Sequence, residues 1–184
     1  MMKYRRLIAV GMFLLMLFVV FEASGLRQNL SLDYLRAILA DNPWRGAIVF
    51  VLLFCVGNLL QIPGWIFLAA AVITLGKIYG GLLTYVAAVI SCLAIYGLIR
   101  GLGGNALREL DSPLAKKIFR YMDERPLMSV VALRTIFQTA PPLNYSLALS
   151  GVQYRYYVLG TIIGLPLPIT AYCLAFDLLF AELM

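Results

Sequence analysis

The sequence predicts an all-α integral membrane protein with three full spans, two opposed re-entrant helical hairpins in an inverted repeat, and amphipathic helices at the interface. Three observations carry this. Hydrophobic residues make up 62% and charged residues 13% of the 184 residues, and the mean hydropathy of +0.90 is too high for a soluble domain. Two long apolar stretches are broken alike, at Gln61-Ile62-Pro63-Gly64-Trp65 and from Gln138 through Pro141-Pro142 to Asn144-Tyr145. Basic residues gather in two short runs, Lys3 to Arg6 and Arg100 to Arg125, as the positive-inside rule requires of cytoplasmic loops.

The elements follow in order. An apolar run from Leu7 to Phe21 behind Lys3, Arg5 and Arg6 reads as a first span with a cytoplasmic N-terminus, since Glu22 to Gly25 offers only a weak cleavage site. Ser31 can cap a short helix with Leu35, Ile38 and Leu39 on one face, stopped at Asn42-Pro43, while Tyr34 and Trp44 suit the headgroup level. Residues 1–43 thus form an N-terminal span and interfacial helix ahead of a transport domain, 44–184.

Trp44 to Gly57 covers only about 21 Å as a helix, short of a hydrocarbon core of about 30 Å. After Pro63-Gly64 a second short arm runs from Ile66 to Leu75, so two arms about a breaker predict a re-entrant hairpin rather than two spans. Gly76 to Gly81 punctuates the chain, and Leu82 to Ile99 is long enough to cross, with Ala87, Ala88, Ser91, Ala94 and Gly97 as a small-residue packing face.

Residues 104–125 form a cytoplasmic linker in which Ser112-Pro113 begins a basic amphipathic helix, with Leu114, Ile118 and Met122 on one side and Lys116, Lys117 and Arg120 elsewhere. Repeat 2, about 126–184, then mirrors repeat 1, about 44–103. Its arms are Leu127–Thr139 and Tyr145–Val152, and its closing span, Val158–Phe180, is kinked by Pro166 and Pro168. Pro63 precedes Gly81, and Pro142 precedes Gly160, by the same 18 positions. One full span separates the halves, so they enter from opposite faces, and the count of sides puts both basic clusters in the cytoplasm and the C-terminus outside.

Composition narrows the chemistry as well. The net charge of +6 is explained by cytoplasmic loops and predicts no nucleic-acid partner. With no histidine, and with Cys55, Cys92 and Cys173 far apart in apolar runs, the usual zinc, thiol-redox and Ser-His or Cys-His arrangements are excluded. The sequence therefore predicts no enzyme, no metal and no cofactor, and membrane lipids as partners; it leaves a homo-oligomer open.

The stretch from Arg134 to Tyr145, followed by Ser150-Gly151-Val152 and Tyr156-Tyr157, resembles the second-hairpin signature of the DedA superfamily. Ile62-Pro63-Gly64, Gly80-Gly81 and Tyr96 to Gly103 resemble that family's first half, so the likeness covers roughly residues 44 to 180. It looks closest to the Tvp-like branch, whose shared region is called the VTT or SNARE-associated Golgi domain. The resemblance implies a lipid transporter of the bacterial inner membrane, a flippase or scramblase for an anionic phospholipid or polyprenyl phosphate. A proton-coupled exporter of small ions or drugs and a non-transporting membrane organiser are the alternatives. Where some members carry carboxylates around the first Pro-Gly, this chain has Val56, Gly57 and Trp65.

Arg134 falls about 12 Å past Pro126 along a helix, too deep to snorkel freely, and a fixed guanidinium there can hold a phosphate or pair with bared carbonyls. Gln138, Asn144 and Gln61 are candidate headgroup contacts or caps for orphaned carbonyls, and Arg100, which ends its span at the cytoplasmic face, is a candidate headgroup contact or an ordinary snorkelling residue. Pro63, Gly64, Pro141 and Pro142 form the breaks. Glu22 and Asp177, near the outer ends of their spans, are the candidate proton sites.

Overall fold

Every proline-marked discontinuity in the sequence becomes a helix boundary or bend. The computed structural model describes residues 5–23, 32–41, 43–109 and 113–183. Nine α-helices lie among them: α1 (Arg5–Ala23), α2 (Leu32–Asp41), α3 (Pro43–Leu59), α4 (Gly64–Gly103), α5 (Pro113–Glu124), α6 (Pro126–Phe137), α7 (Pro141–Leu149), α8 (Tyr154–Gly164) and α9 (Pro166–Leu183), with a 3₁₀ turn at Ala106–Glu109. Pro126 and Pro141 sit at the first helical positions, where no N–H is needed and the fixed φ is already helical.

The longest element, α4, is interrupted once, at Gly76, whose φ of 78° and ψ of 168° lie outside helical space. Only a residue without a Cβ takes that conformation cheaply. A second positive-φ glycine, Gly151, turns the chain between α7 and α8. Pro166 ends α8, but Leu165 stays right-handed and its carbonyl accepts from the Ile169 N–H at 3.2 Å, so α9 continues α8 through a bend. Among the described residues two helical stretches, Gly64–Gly103 and Tyr154–Phe176, are long and apolar enough to cross a membrane.

Packing centres on α4, which touches α1, α2, α3, α7, α8 and α9. One apolar cluster joins Leu35 and Leu39 of α2, Phe50 and Phe54 of α3, Phe67 through Ala88 of α4, and Leu165, Ile169 and Cys173. The other joins Val10 of α1, Cys92 through Ile99 of α4, Val130 of α6, Tyr145 through Leu149 of α7, and Tyr157 of α8. The two clusters meet on α4 between Ala88 and Cys92, at the level of buried Ser91.

Periodicity gives the buried face of α2, and only part of that of α5. The apolar face of α2 is built into the first cluster, while Tyr34 and Arg36 stay exposed. In α5 Met122 is buried but Ile118 is half exposed. The side chain of Leu114 and both cap residues, Ser31 and Ser112, lie outside the described residues. The linker is tied down by Arg108, which donates from Nη1 and Nη2 to Asp123 at 2.8 and 2.5 Å and from Nε to the Ser150 carbonyl at 2.5 Å.

Those donated bonds hold the Asp123 carboxyl below the usual carboxylate range. A carboxyl depressed in the folded state contributes stability above its unfolded pKa of about 4 and loses it as pH falls through the folded value. The pair is solvent-exposed, so the contribution is at most about 1 kcal/mol. Protection of α5 amides, as exchange relative to the intrinsic rate at each pH, is expected to be flat from neutral pH down to about pH 5 and to fall below about pH 4, a transition that Asp123→Asn removes.

α6 approaches α8 closely because Gly160 and Gly164 are spaced one turn apart, the small-xxx-small pattern of intramembrane helix contacts. A Cβ at Gly160 would lie 2.6 Å from Val130 Cβ, and one at Gly164 would lie 2.7 Å from Arg134 Cβ. Gly97 on α4 faces nothing within 4 Å. Gly160→Leu should therefore lower the thermal midpoint in detergent markedly, by overpacking worth about 1–3 kcal/mol, while Gly97→Leu leaves it unchanged or slightly higher.

Candidate functional site

Both breaks are built on a glutamine in the left-handed region, Gln61 at φ 66° and Gln138 at φ 53°, the positive-φ non-glycine residues among the described positions. At the first, the Ile62 N–H reaches back to the Gly57 carbonyl at 2.8 Å and the Gln61 N–H to the Asn58 carbonyl at 3.4 Å, a Schellman closure of α3. At the second, the Gln138 N–H donates to the Arg134 carbonyl at 2.8 Å, and Pro141 starts α7 after only three residues. These closures turn the chain while satisfying part of the backbone that a broken helix bares.

Arg134 lies in the last turn of α6 and is 0% exposed. Its Nη1 donates to Asn144 Oδ1 at 2.6 Å and to the Gln138 carbonyl at 3.0 Å; Nη2 donates to Tyr157 Oη at 2.7 Å, and Nε to Thr161 Oγ1 at 3.3 Å. The guanidinium also sits 5.2 Å from the centroid of the Tyr157 ring. Every one of these partners is neutral. Among the described residues Arg134 is the one charged side chain that is buried, so its charge is balanced by hydroxyl, amide and carbonyl dipoles and by the negative end of α6.

The network continues outward from Arg134 into both halves. Asn144 Nδ2 donates to the Thr139 carbonyl at 3.1 Å and to Asn58 Oδ1 at 3.2 Å, and Asn58 Nδ2 donates to Ser91 Oγ at 2.9 Å. Tyr157 Oη donates to the Cys92 carbonyl at 2.9 Å, and Tyr145 Oη to the Leu59 carbonyl at 2.6 Å. The result is a polar layer that crosses the molecule between the two apolar clusters and joins the two breaks.

The sequence-predicted residues divide accordingly. Arg134 and Asn144 are in contact at the centre, and Gln138 joins them through its main-chain carbonyl. Gln61 is exposed, and Pro63 is the extended residue ahead of α4, with Gly64 its first residue. Arg100 donates to the Ala148 carbonyl at 3.2 Å and so caps α7 away from this layer. Glu22 is exposed near the end of α1, and the side chain of Asp177, within α9, lies outside the described residues.

Sequence reasoning missed Asn58, Ser91, Tyr157 and Thr161. Asn58 could have been found as the one amide in the apolar run before the first break. Ser91 carries the signal of a packing residue, and Thr161 gives no separate signal. The layer contains no nucleophile paired with a general base, and no group of three metal-ligating side chains occurs among the described residues. Chemically it can hold an anion.

Two of the described helical stretches are long and apolar enough to cross a membrane, and a buried polar layer lies at the helix breaks. Residues 62–178, more than half of the chain, match the family profile of the VTT domain, and the chain is a membrane protein of the VTT-domain family. No curated protein and no solved structure matches it.

Two removals should separate the layer's contributions. Tyr157→Phe keeps the packing but takes one acceptor from Arg134 and one donor from the Cys92 carbonyl, which should cost about 1–3 kcal/mol in denaturant unfolding. Ser91→Ala, at the far end of the chain of bonds, takes the acceptor from buried Asn58 Nδ2 without touching Arg134 and should likewise cost about 1–3 kcal/mol.

Proposed function

We propose that the protein carries a lipid with an anionic phosphate headgroup, a phospholipid or a polyprenyl phosphate, between leaflets, with Arg134 as the phosphate-binding group. The observation that carries this is a wholly buried guanidinium bonded only to neutral acceptors. A site that pays to bury a cation without a counter-charge is complementary to an anion that arrives from outside. Family membership supports a membrane transport role and leaves the substrate to this argument. Within the family the quoted motif residues favour the Tvp-like branch.

In this reading α3 with the first part of α4, and α6 with α7, are re-entrant hairpins of an inverted repeat. Support comes from their matched order: a helix, a left-handed glutamine, a proline, a second arm, then a turn at Gly76 or Gly151. Inverted repeats of broken helices commonly meet near the midplane and open to either side in turn. The conformation described has Arg134 closed off. To bind, Asn144 and Tyr157 give way to phosphate oxygens, which bring the guanidinium an opposite charge and bidentate geometry where it now meets neutral acceptors. The prolines and glycines of the breaks shape the cavity, and the acyl or prenyl tails stay in the bilayer.

The N-terminus is assigned to the cytoplasm and the C-terminus to the outside of the bacterial inner membrane, because that places the linker with Lys116, Lys117 and Arg120 on the cytoplasmic side. Glu22 and Asp177 are the carboxylates to examine for proton coupling.

The test is a proteoliposome assay in which a headgroup-labelled phospholipid or polyprenyl phosphate becomes exposed to a membrane-impermeant quencher. The wild type should accelerate exposure well above empty liposomes, Arg134→Ala should lose at least about tenfold, and Arg134→Lys should recover part of it as a point charge without the bidentate fork. Equal rates for wild type, Arg134→Ala and empty liposomes would refute lipid transport.

A further inference from the structure

Next to the polar layer lies a small cavity of about 10 Å³, walled by Gly64 and Trp65 at the first break, Thr84 of α4, Gln138 and Thr139 at the second break, and Ile169 of α9. Its walls therefore come from both halves. Thr84 Oγ1 is the buried side-chain oxygen that has no hydrogen-bond partner among the described residues, and Thr84 is 3% exposed. A buried hydroxyl left unpaired costs about 1–3 kcal/mol, and a polar cavity of about 10–15 Å³ suffices for one water. Phe54, Leu68, Ala88 and Leu165 complete the walls, so the cavity is mostly apolar and its size coincides with one unpaired oxygen.

The contact across this cavity is equally specific. Thr139 Oγ1 occupies the space beside the Gly64 backbone, 2.8 Å from where a Cβ would stand, so the second break reaches the main chain of the first there directly. Thr139 is followed by the arm carrying Asn144, and Gln138 holds Arg134 through its carbonyl.

We infer that the cavity is a hydrated seam: a one-water site held by Thr84 Oγ1, and the place where the two breaks separate to admit water and a phosphate headgroup to Arg134. The water site stands on the cavity alone, whereas the gating role rests on the lipid-transport reading. An opening that begins here parts a glycine from a hydroxyl, and of the Phe50, Phe54 and Phe67 cluster Phe54 alone lines the cavity.

Two experiments on the full chain test the two parts separately. For the water site, Thr84→Val and Thr84→Ser are compared with the wild type by thermal unfolding in detergent. Thr84→Val should lower the midpoint, with Thr84→Ser closer to wild type; a midpoint unchanged or raised by Thr84→Val would mean a dry, unpaired hydroxyl and would overturn the site. For the gate, the double variant Gly64→Cys/Thr139→Cys is oxidised, the disulfide between the two introduced thiols is verified by peptide mapping, and headgroup exposure is followed in proteoliposomes before and after reduction. Crosslinked protein should lose at least about tenfold in rate and regain it with reductant. A verified crosslink with unchanged rate would overturn the gate while leaving lipid transport intact, and a wild type no faster than empty liposomes would remove the gating role together with the transport reading, the Thr84 result standing by itself.

Discussion

The buried guanidinium of Arg134 is the constraint around which the rest of the structure is arranged. An unpaired charge in an apolar interior is too costly to survive, so each donor has to meet an oxygen. Those oxygens come from the second break, α7 and α8: the Gln138 carbonyl, Asn144, Tyr157 and Thr161. Placing them requires α6 and α8 in close contact, which Gly160 and Gly164 permit. It also requires a helix that stops at Phe137 and restarts at Pro141, so that Asn144 can turn back toward Arg134.

Asn144 then couples the second break to the first. Through Asn58 and Ser91 the same chain of bonds reaches α3 and α4, so the polar layer separates two apolar cores and ties them together. Such a layer is well suited to conformational change. Hydrogen bonds among neutral groups can be exchanged for bonds to water or to a phosphate at small net cost, whereas separated apolar surfaces find no replacement inside a protein.

Much of this was legible in the sequence, for identifiable reasons. Prolines and glycines report backbone geometry locally, so the breaks at 61–64 and 138–142, the turn at Gly76 and the bend before Pro166 could be read without partners. Arg134 stood out because a charge in an apolar run is rare. The residues that complete its environment could not be read in the same way. Asn58 and Ser91 are single polar residues on helices that are apolar all round, and their roles depend on contacts with residues dozens of positions away. Arg100 shows the same dependence on partners: its place at a span end is legible, whereas the α7 carbonyl it bonds is not. Periodicity marks Leu35 and Leu39 as one apolar face of α2, but which helices cover that face depends on where α3 and α4 lie.

The central claim is that the Arg134 guanidinium exchanges neutral partners for a lipid phosphate. Solid-state NMR on arginine-labelled protein in liposomes measures this directly, through dephasing of guanidinium carbon and nitrogen by lipid phosphorus, with Arg134→Lys identifying the buried signal. The account predicts phosphorus contact at the Arg134 signal when the transported lipid is present and none in a bilayer of uncharged, phosphorus-free lipid. Contact confined to surface arginines, with the Arg134 signal unaffected by every phosphate lipid supplied, would contradict it.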